Sequence, residues 1–185
     1  MKKYIITLSI IFSALTMSAQ ETIWKITYDV AFPFSSTKEF ADQKSWRGAT
    51  MDFDRFVGDK FAVGMGFSWS TFVQKYPDSY YERENILLHG TQVRYINNIP
   101  LTVRFSYYQP LESLELYGTM GVGTVWQETR REIGTYAFTG SYWQFAMSPE
   151  LGAIFPVGRS YLTAKLRYVV GFKTDSAPDL SYLSI

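Results

Sequence analysis

The stretch KFAVGMGFSWSTF, residues 60–72, decides the fold. Phe61, Val63, Met65, Phe67 and Trp69 are large and apolar, while the residues between them, Ala62, Gly64, Gly66, Ser68 and Ser70, are small. Successive side chains of an extended strand point to opposite faces. A helix, with its period of 3.6, would mix the two sets within a turn. The large set suits lipid and the small set suits the crowded interior of a narrow barrel. The segment therefore predicts a transmembrane strand.

The same parity recurs on either side. Trp24, Ile26, Tyr28, Val30 and Phe32 share a face opposite Lys25, Thr27, Asp29 and Ala31, and Pro33 is expected to end the run. Ala49, Met51 and Phe53 oppose Thr50, Asp52 and Asp54. Val93, Tyr95, Ile99, Leu101, Val103 and Phe105 oppose Gln92, Arg94, Thr102, Arg104 and Ser106. Pro100 interrupts that segment, since it lacks a ladder donor, and one bent strand is the preferred reading over two short ones. Leu116, Met120, Val122 and Trp126 follow, then Trp143, Phe145, Met147 and Leu151, then Leu162, Leu166, Tyr168 and Phe172. Residues 180–185 begin an eighth strand and stop. A membrane strand needs about 9 to 11 residues, so this one is expected to be incomplete.

The connections carry independent information. Residues 58–59, 109–113 and 156–158 are short and turn-like, whereas residues 35–44, 73–84, 128–141 and 174–179 form mostly longer, more polar links. Short and long connections alternate, as in bacterial barrels with short periplasmic turns and longer extracellular loops. A secreted β-sandwich has no reason to sort its loops in this way. The fold expected is thus all-β, a transmembrane antiparallel up-and-down barrel of about eight strands with periplasmic termini.

Composition agrees with this reading. The chain has 185 residues, 18% of them aromatic, with 14 Tyr, 14 Phe and 5 Trp. Past the N-terminal segment, no apolar run approaches the ~20 residues of a membrane helix. Lys2 and Lys3, the mostly apolar residues 4–17, and Ser18, Ala19 and Gln20 have the order of a cleaved secretory signal. The division expected is a signal peptide at residues 1–19 and a barrel at residues 20–185, placed in the bacterial outer membrane. There is no Cys, which excludes disulfide staples, thiolate metal sites and a lipid-modified N-terminus. A formal net charge of +1 gives no reason to expect a nucleic-acid partner.

Parity also assigns the lumen. Lys25, Arg94, Arg104, Lys165 and Arg167 face inward, as do Asp29, Asp52, Asp54, Glu115 and Glu150. The two sets balance. An eight-stranded barrel is just wide enough for its side chains to fill it, so these charges are expected to pair as a plug; a narrow polar conduit is the alternative. Trp24, Phe61, Phe67, Trp69, Trp126, Trp143 and Phe172 are the expected lipid-facing aromatics.

Few residues invite chemistry. Asp52 and Asp54 share a face, but with Arg and Lys across the lumen they read as ion pairs rather than as a cation site. Gly118, Gly121 and Gly123 lie in an alternating strand with no helix after them, which excludes a phosphate loop. Arg130 and Arg131 sit in a long link and read by default as solvated loop residues, with contact to lipopolysaccharide phosphates as the alternative. His89 is the lone histidine and precedes Thr91 by two, with no carboxylate assignable to it. Outer-membrane lipid-A deacylases place a His and a Ser in similar spacing; here the hydroxyl is a Thr, and a boundary His is the expected role. No catalytic residue, metal or cofactor is assigned.

The segments RYINNIPLTVRFSYYQP (94–110), LELYGTMGVGTVWQETRREIGTY (114–136) and WQFAMSPELGAIFPVG (143–158) resemble the small outer-membrane β-barrel proteins of Bacteroidota, OmpA-like and opacity-like in type, without a C-terminal periplasmic domain. The resemblance implies an eight-stranded barrel inserted by the barrel assembly machinery among outer-membrane lipid and lipopolysaccharide. It implies no activity. Such barrels usually end in a complete strand with a terminal aromatic, and this chain departs from that pattern at Ile185. Three functions are therefore expected in descending order. The first is a non-enzymatic barrel whose loops meet an unknown surface ligand. The second is a small channel for a polar or amphipathic solute, and the third a lipid-A-modifying enzyme using His89.

Overall fold

The computed structural model describes residues 21–83, 86–158, 160–174 and 177–185, so the segment read as a signal peptide lies outside the described residues. The chain forms β1 (Thr22–Tyr28), β2 (Ala31–Phe34), a one-turn helix α1 (Ser35–Phe40), β3 (Gly48–Phe56), β4 (Phe61–Arg83), β5 (Ile86–Pro110), β6 (Glu115–Ile133), β7 (Tyr136–Val157), β8 (Ser160–Gly171) and β9 (Leu180–Ser184). Every neighbouring pair is antiparallel, in the order β1-β3-β4-β5-β6-β7-β8-β9-β2. The architecture is a transmembrane up-and-down β-barrel.

Nine strands appear where about eight were expected, because the first stave is divided. β1 pairs with β3, while β2 pairs with β9 at the opposite end of the strand order. Pro33 does not end the run. It sits within β2, opposite Tyr182. β5 likewise runs uninterrupted through Pro100. The β4–β5 ladder is silent between Phe67↔Leu101 and Ser70↔Asn98, and resumes in the same register; the missing proline donor explains that gap.

Closure is complete only toward the extracellular end. There β9 bonds to both β8 and β2, and Val30 and Ile185 exchange backbone hydrogen bonds of 2.9 and 3.0 Å. Below that level residues 22–28 pair only with β3, and residues 160–166 pair only with β7. A seam the width of one strand separates them.

Two of the four links read as long polar loops, residues 73–84 and 128–141, are largely strand where they are described. β6 and β7 pair as far as Ile133↔Tyr136, leaving a two-residue turn at Gly134 and Thr135. Gly134 has φ +58°, a conformation that glycine adopts without steric cost. β4 and β5 pair as far as Arg83↔Ile86. Strands β4 to β7 contain 23, 25, 19 and 22 residues, about twice the 9–11 that cross a bilayer. Polar composition tracks exposure to water, and two-stranded ribbons above a membrane are as exposed as loops.

Exposed aromatics mark the membrane band. Trp46, Trp69, Trp143 and Phe172 line its upper edge, with Trp126 half-buried opposite Trp143. Phe61, Tyr107 and Phe155 line the lower edge. Phe61 and Trp69 lie about 27 Å apart along the strand, the scale of the ~25 Å apolar band of such barrels.

Candidate functional site

The lumen is layered. Near the periplasmic end, Ile23, Ala62, Tyr108, Tyr117 and Ile154 form a buried apolar cluster with Phe56 against it. Near the extracellular end, Ala31, Phe72, Ile96, Val125, Ala146, Val169, Leu180 and Tyr182 form another, and Phe40 of α1 packs on it. Charges lie between the two.

Those charges come from five strands and the residue just after β1. Arg104 is fully buried, and each of its nitrogens meets a different carboxylate: Nη1 with Asp52 Oδ1 at 3.1 Å, Nε with Asp54 Oδ1 at 3.2 Å, and Nη2 with Glu150 Oε1 at 3.1 Å. Arg167 donates to Asp52 Oδ2 at 2.6 Å and also pairs with Glu150. Lys25 meets Asp54 at 2.8 Å, and Lys165 meets Asp29 at 3.3 Å. Four cations thus face four carboxylates, and the group is neutral as a whole. Buried charges persist when paired and hydrogen-bonded, because the cost of removing them from water is then offset by close contacts.

Room for this network comes from glycine on the intervening strands. In register, Asp54 opposes Gly64 and Asp52 opposes Gly66. Arg104 lies between Gly64 of β4 and Gly121 of β6. Asp52, Asp54 and Arg104 thus lean over glycines on the neighbouring strands. A small/large alternation of this kind fits the narrow interior of an eight-staved barrel.

Of the ten residues assigned to the lumen network, eight come together. Arg94 and Glu115 do not. Arg94 stands at the extracellular mouth, where its guanidinium lies over Tyr76 and Phe40 and donates to Gln92 Oε1 at 2.7 Å. Glu115 opens β6 at the periplasmic turn and is only half-buried. Both have the inward parity, but they lie too far along the barrel axis to reach the centre; parity fixes a face, not a height.

Sequence reasoning missed the neutral members. Tyr108 donates to Asp54 Oδ2 at 2.7 Å and accepts from Lys25 Nζ at 2.8 Å. Lys25 also lies 4.0 Å from the centre of the Tyr117 ring. Thr50 donates to Asp29, and Ser106 and Thr119 share a hydrogen bond of 2.8 Å. The available signal was parity, since Tyr108 occupies the same face as Arg104 and Ser106. Tyr108→Phe removes one donor and one acceptor to charged partners, so a loss of about 1–3 kcal/mol is expected. A lower midpoint for the heat-induced mobility shift in SDS gels would register it; an unchanged midpoint would show the hydroxyl to be idle.

His89 lies elsewhere than expected. β6 ends opposite Gln92, so residues 79–83 and 86–90 belong to a two-stranded ribbon standing above the rest of the sheet. Tyr80, which opposes His89, is eleven residues beyond Trp69, about 35 Å along the strand. His89 is therefore not at the lipid boundary. The carboxylate that sequence reasoning left unassigned is Asp78, whose Oδ1 is 2.8 Å from His89 Nε2. A register shift between Tyr76 and Ser79 places it there, and Tyr80 stacks on the imidazole at 4.3 Å. Among the described residues, Thr91 makes no hydrogen bond to His89, and no group of His, Asp and Glu is placed to hold a metal ion. Arg130 pairs with Glu132 at 2.5 Å, and Arg131 lies over Phe40 at 5.4 Å, both on β6 rather than in a loop.

No protein-family model matches the chain, and no curated protein matches it by sequence. Solved structures do match. The crystal structure of Ail, the attachment invasion locus protein of Yersinia pestis, superposes with a TM-score of 0.54 at 11% identity, covering 90% of this chain and 95% of that one. The fold is shared. A second structure of Ail, in complex with the heparin analogue sucrose octasulfate, gives a TM-score of 0.53 at 13% identity over the same shares of the two chains.

Proposed function

We propose that the chain is a non-enzymatic integral protein of the bacterial outer membrane, a barrel with a plugged, charge-paired lumen that presents its extracellular ribbons to a surface partner. One observation carries this reading: the charged centre of the lumen lies between two buried apolar layers. A hydrated ion entering from either end meets apolar side chains first, and hydrophobic constrictions exclude water and ions. Arg104, at the centre, is held by three carboxylates. The aromatic girdles and the fold shared with Ail support placement in the outer membrane, against lipid and lipopolysaccharide. A signal at residues 1–19 would deliver the chain for insertion by the barrel assembly machinery.

What remains for function is the extracellular end. The β4–β5 ribbon is the tallest element, and the β6–β7 ribbon stands beside it. The non-enzymatic reading is supported at His89, whose partner Asp78 is 85% exposed, far from the dry surroundings that sharpen acid–base chemistry.

Planar-bilayer recording of the purified protein tests the sealed lumen. No conductance steps above the bare bilayer are expected at 100 mV, an ordinary working potential. Reproducible ohmic steps, abolished by a Phe72→Trp change in the upper layer, would overturn it and favour a solute channel.

A further inference from the structure

We infer that a groove on the lipid-facing wall of β5, β6 and β7 binds a single glycerophospholipid of the periplasmic leaflet, with an acyl chain across Gly118 and its phosphate at Lys60. The inference rests on the outer-membrane placement proposed above and adds a ligand to it. Tyr107, Gly118 and Leu151 lie side by side in register, and Phe105, Met120 and Pro149 form the next row toward the extracellular side. Phe105, Tyr107, Met120 and Leu151 are all exposed on the outer wall.

The groove follows from two low places in these rows. Gly118 has no side chain, and among the described residues a Cβ there meets only Leu151 Cδ2, at 3.5 Å. Pro149, diagonal to it, carries a compact ring. Tyr107 and Leu151 stand two strand spacings apart, about 9.6 Å. A hydrocarbon chain touching carbon atoms on either side at about 4 Å fits between them. The cavity that results has a volume of about 840 Å³.

Shape alone selects no ligand here. Lipid tails are as apolar as leucine, so an apolar groove in a bilayer gains nothing from burial. The selective element lies at the groove's periplasmic end. Tyr107 Oη donates to Gln109 Oε1 at 3.2 Å, and Lys60 Nζ donates to the same oxygen at 2.9 Å. Among the described residues, no carboxylate lies within ion-pair distance of Lys60. An ammonium has three donors, and Gln109 takes one. The others remain for phosphate oxygens, at the level of the Phe61 and Tyr107 girdle, where headgroups lie. Charge complementarity thus favours a phospholipid over a second copy of the barrel, which would bring another Lys60 to the same level.

Native mass spectrometry of the delipidated full chain in detergent tests the site. The probe is dioleoyl phosphatidylglycerol, and its control is dioleoylglycerol, which lacks the phosphate. The protein is expected to retain a single phosphatidylglycerol and to bind dioleoylglycerol about tenfold or more weakly, the effect of losing hydrogen bonds between charged groups. Gly118→Phe fills the groove from the lipid side. Lys60→Gln, just outside β4, removes the charge. Each is expected to weaken phosphatidylglycerol binding by about tenfold or more. Ala49→Phe adds the same ring to the outer wall of β3, opposite Trp69 and away from the groove, and is expected to leave binding unchanged. Equal binding of the two lipids overturns the proposal, as does full binding by Lys60→Gln. A loss in Ala49→Phe that matches the loss in Gly118→Phe also overturns it, as do lipid-free dimers. Lys60→Gln leaves every strand residue in place, so it decides the question even where Gly118→Phe fails to insert. None of these measurements reads conductance, so the plugged lumen stands or falls separately.

Discussion

Replacing Arg104 with Met is expected to destabilise the barrel by about 3–5 kcal/mol, the cost of breaking a buried ion pair by removing one partner. Among the described residues, Arg104 is the only cation that touches Asp52, Asp54 and Glu150 together. Its loss leaves four carboxylates facing three cations, with Lys25 still on Asp54 and Arg167 shared between Asp52 and Glu150. Apolar layers lie above and below the excess charge. Adding Glu150→Gln restores neutrality: Asp52 keeps Arg167, Asp54 keeps Lys25, and Asp29 keeps Lys165. The double variant is therefore expected to be more stable than the single Arg104 variant, although each change alone is harmful. Urea titration of the folded fraction on unheated SDS gels measures all four members of the cycle. Additive losses would mean that the pairs are independent and that neutrality is not what stabilises the lumen.

The second large effect is steric. A Cβ on Gly66 would lie 2.8 Å from Asp52 Oδ1, 2.9 Å from Arg104 Cδ and 3.1 Å from Thr102 Oγ1. Gly66→Val adds two further methyl groups at that point, where overpacking alone costs about 1–3 kcal/mol. Displacing Asp52 from Arg104 adds to this. Gly118 is the control. It faces lipid, and a Cβ there meets only Leu151 Cδ2, at 3.5 Å. Gly118→Ala is expected to be neutral within about 0.5 kcal/mol, as for substitutions that disturb no buried contact. Comparable losses at the two glycines would show that strand propensity, rather than lumen crowding, requires glycine in this barrel.

Much of the fold was legible because strand parity is local. The alternation of residues 61–70 follows from backbone pleating, and it named the inward face of β4 without reference to any partner. It also placed Asp52 and Asp54 on the same side as Arg104 and Arg167. What parity does not carry is height. Arg94 and Arg104 share a face on β5, yet ten residues separate them, and only Arg104 lies level with Asp54 and Glu150. Strand length was underestimated for a related reason. The hydrophobic pattern fades where lipid ends, although the hydrogen-bonded ribbon does not, and residues 128–141 therefore looked like a loop. The apolar layers went unseen because Phe72, Ile96 and Val125 lie on faces otherwise made of small or polar residues.

The sequence by itself determined the barrel class and, for the strands before residue 180, the face each turns outward. Those follow from two-residue periodicity and composition, which survive without knowledge of neighbours. The tertiary structure alone decided which charges meet, that the first stave divides at Asp29 and Val30, and that Asp78 reaches His89. It also left the lower seam between β1 and β8 unpaired. The reason is register. Pairing across strands depends on how far each has slid past the next, and that sum is fixed only when the sheet curls back toward its first strand.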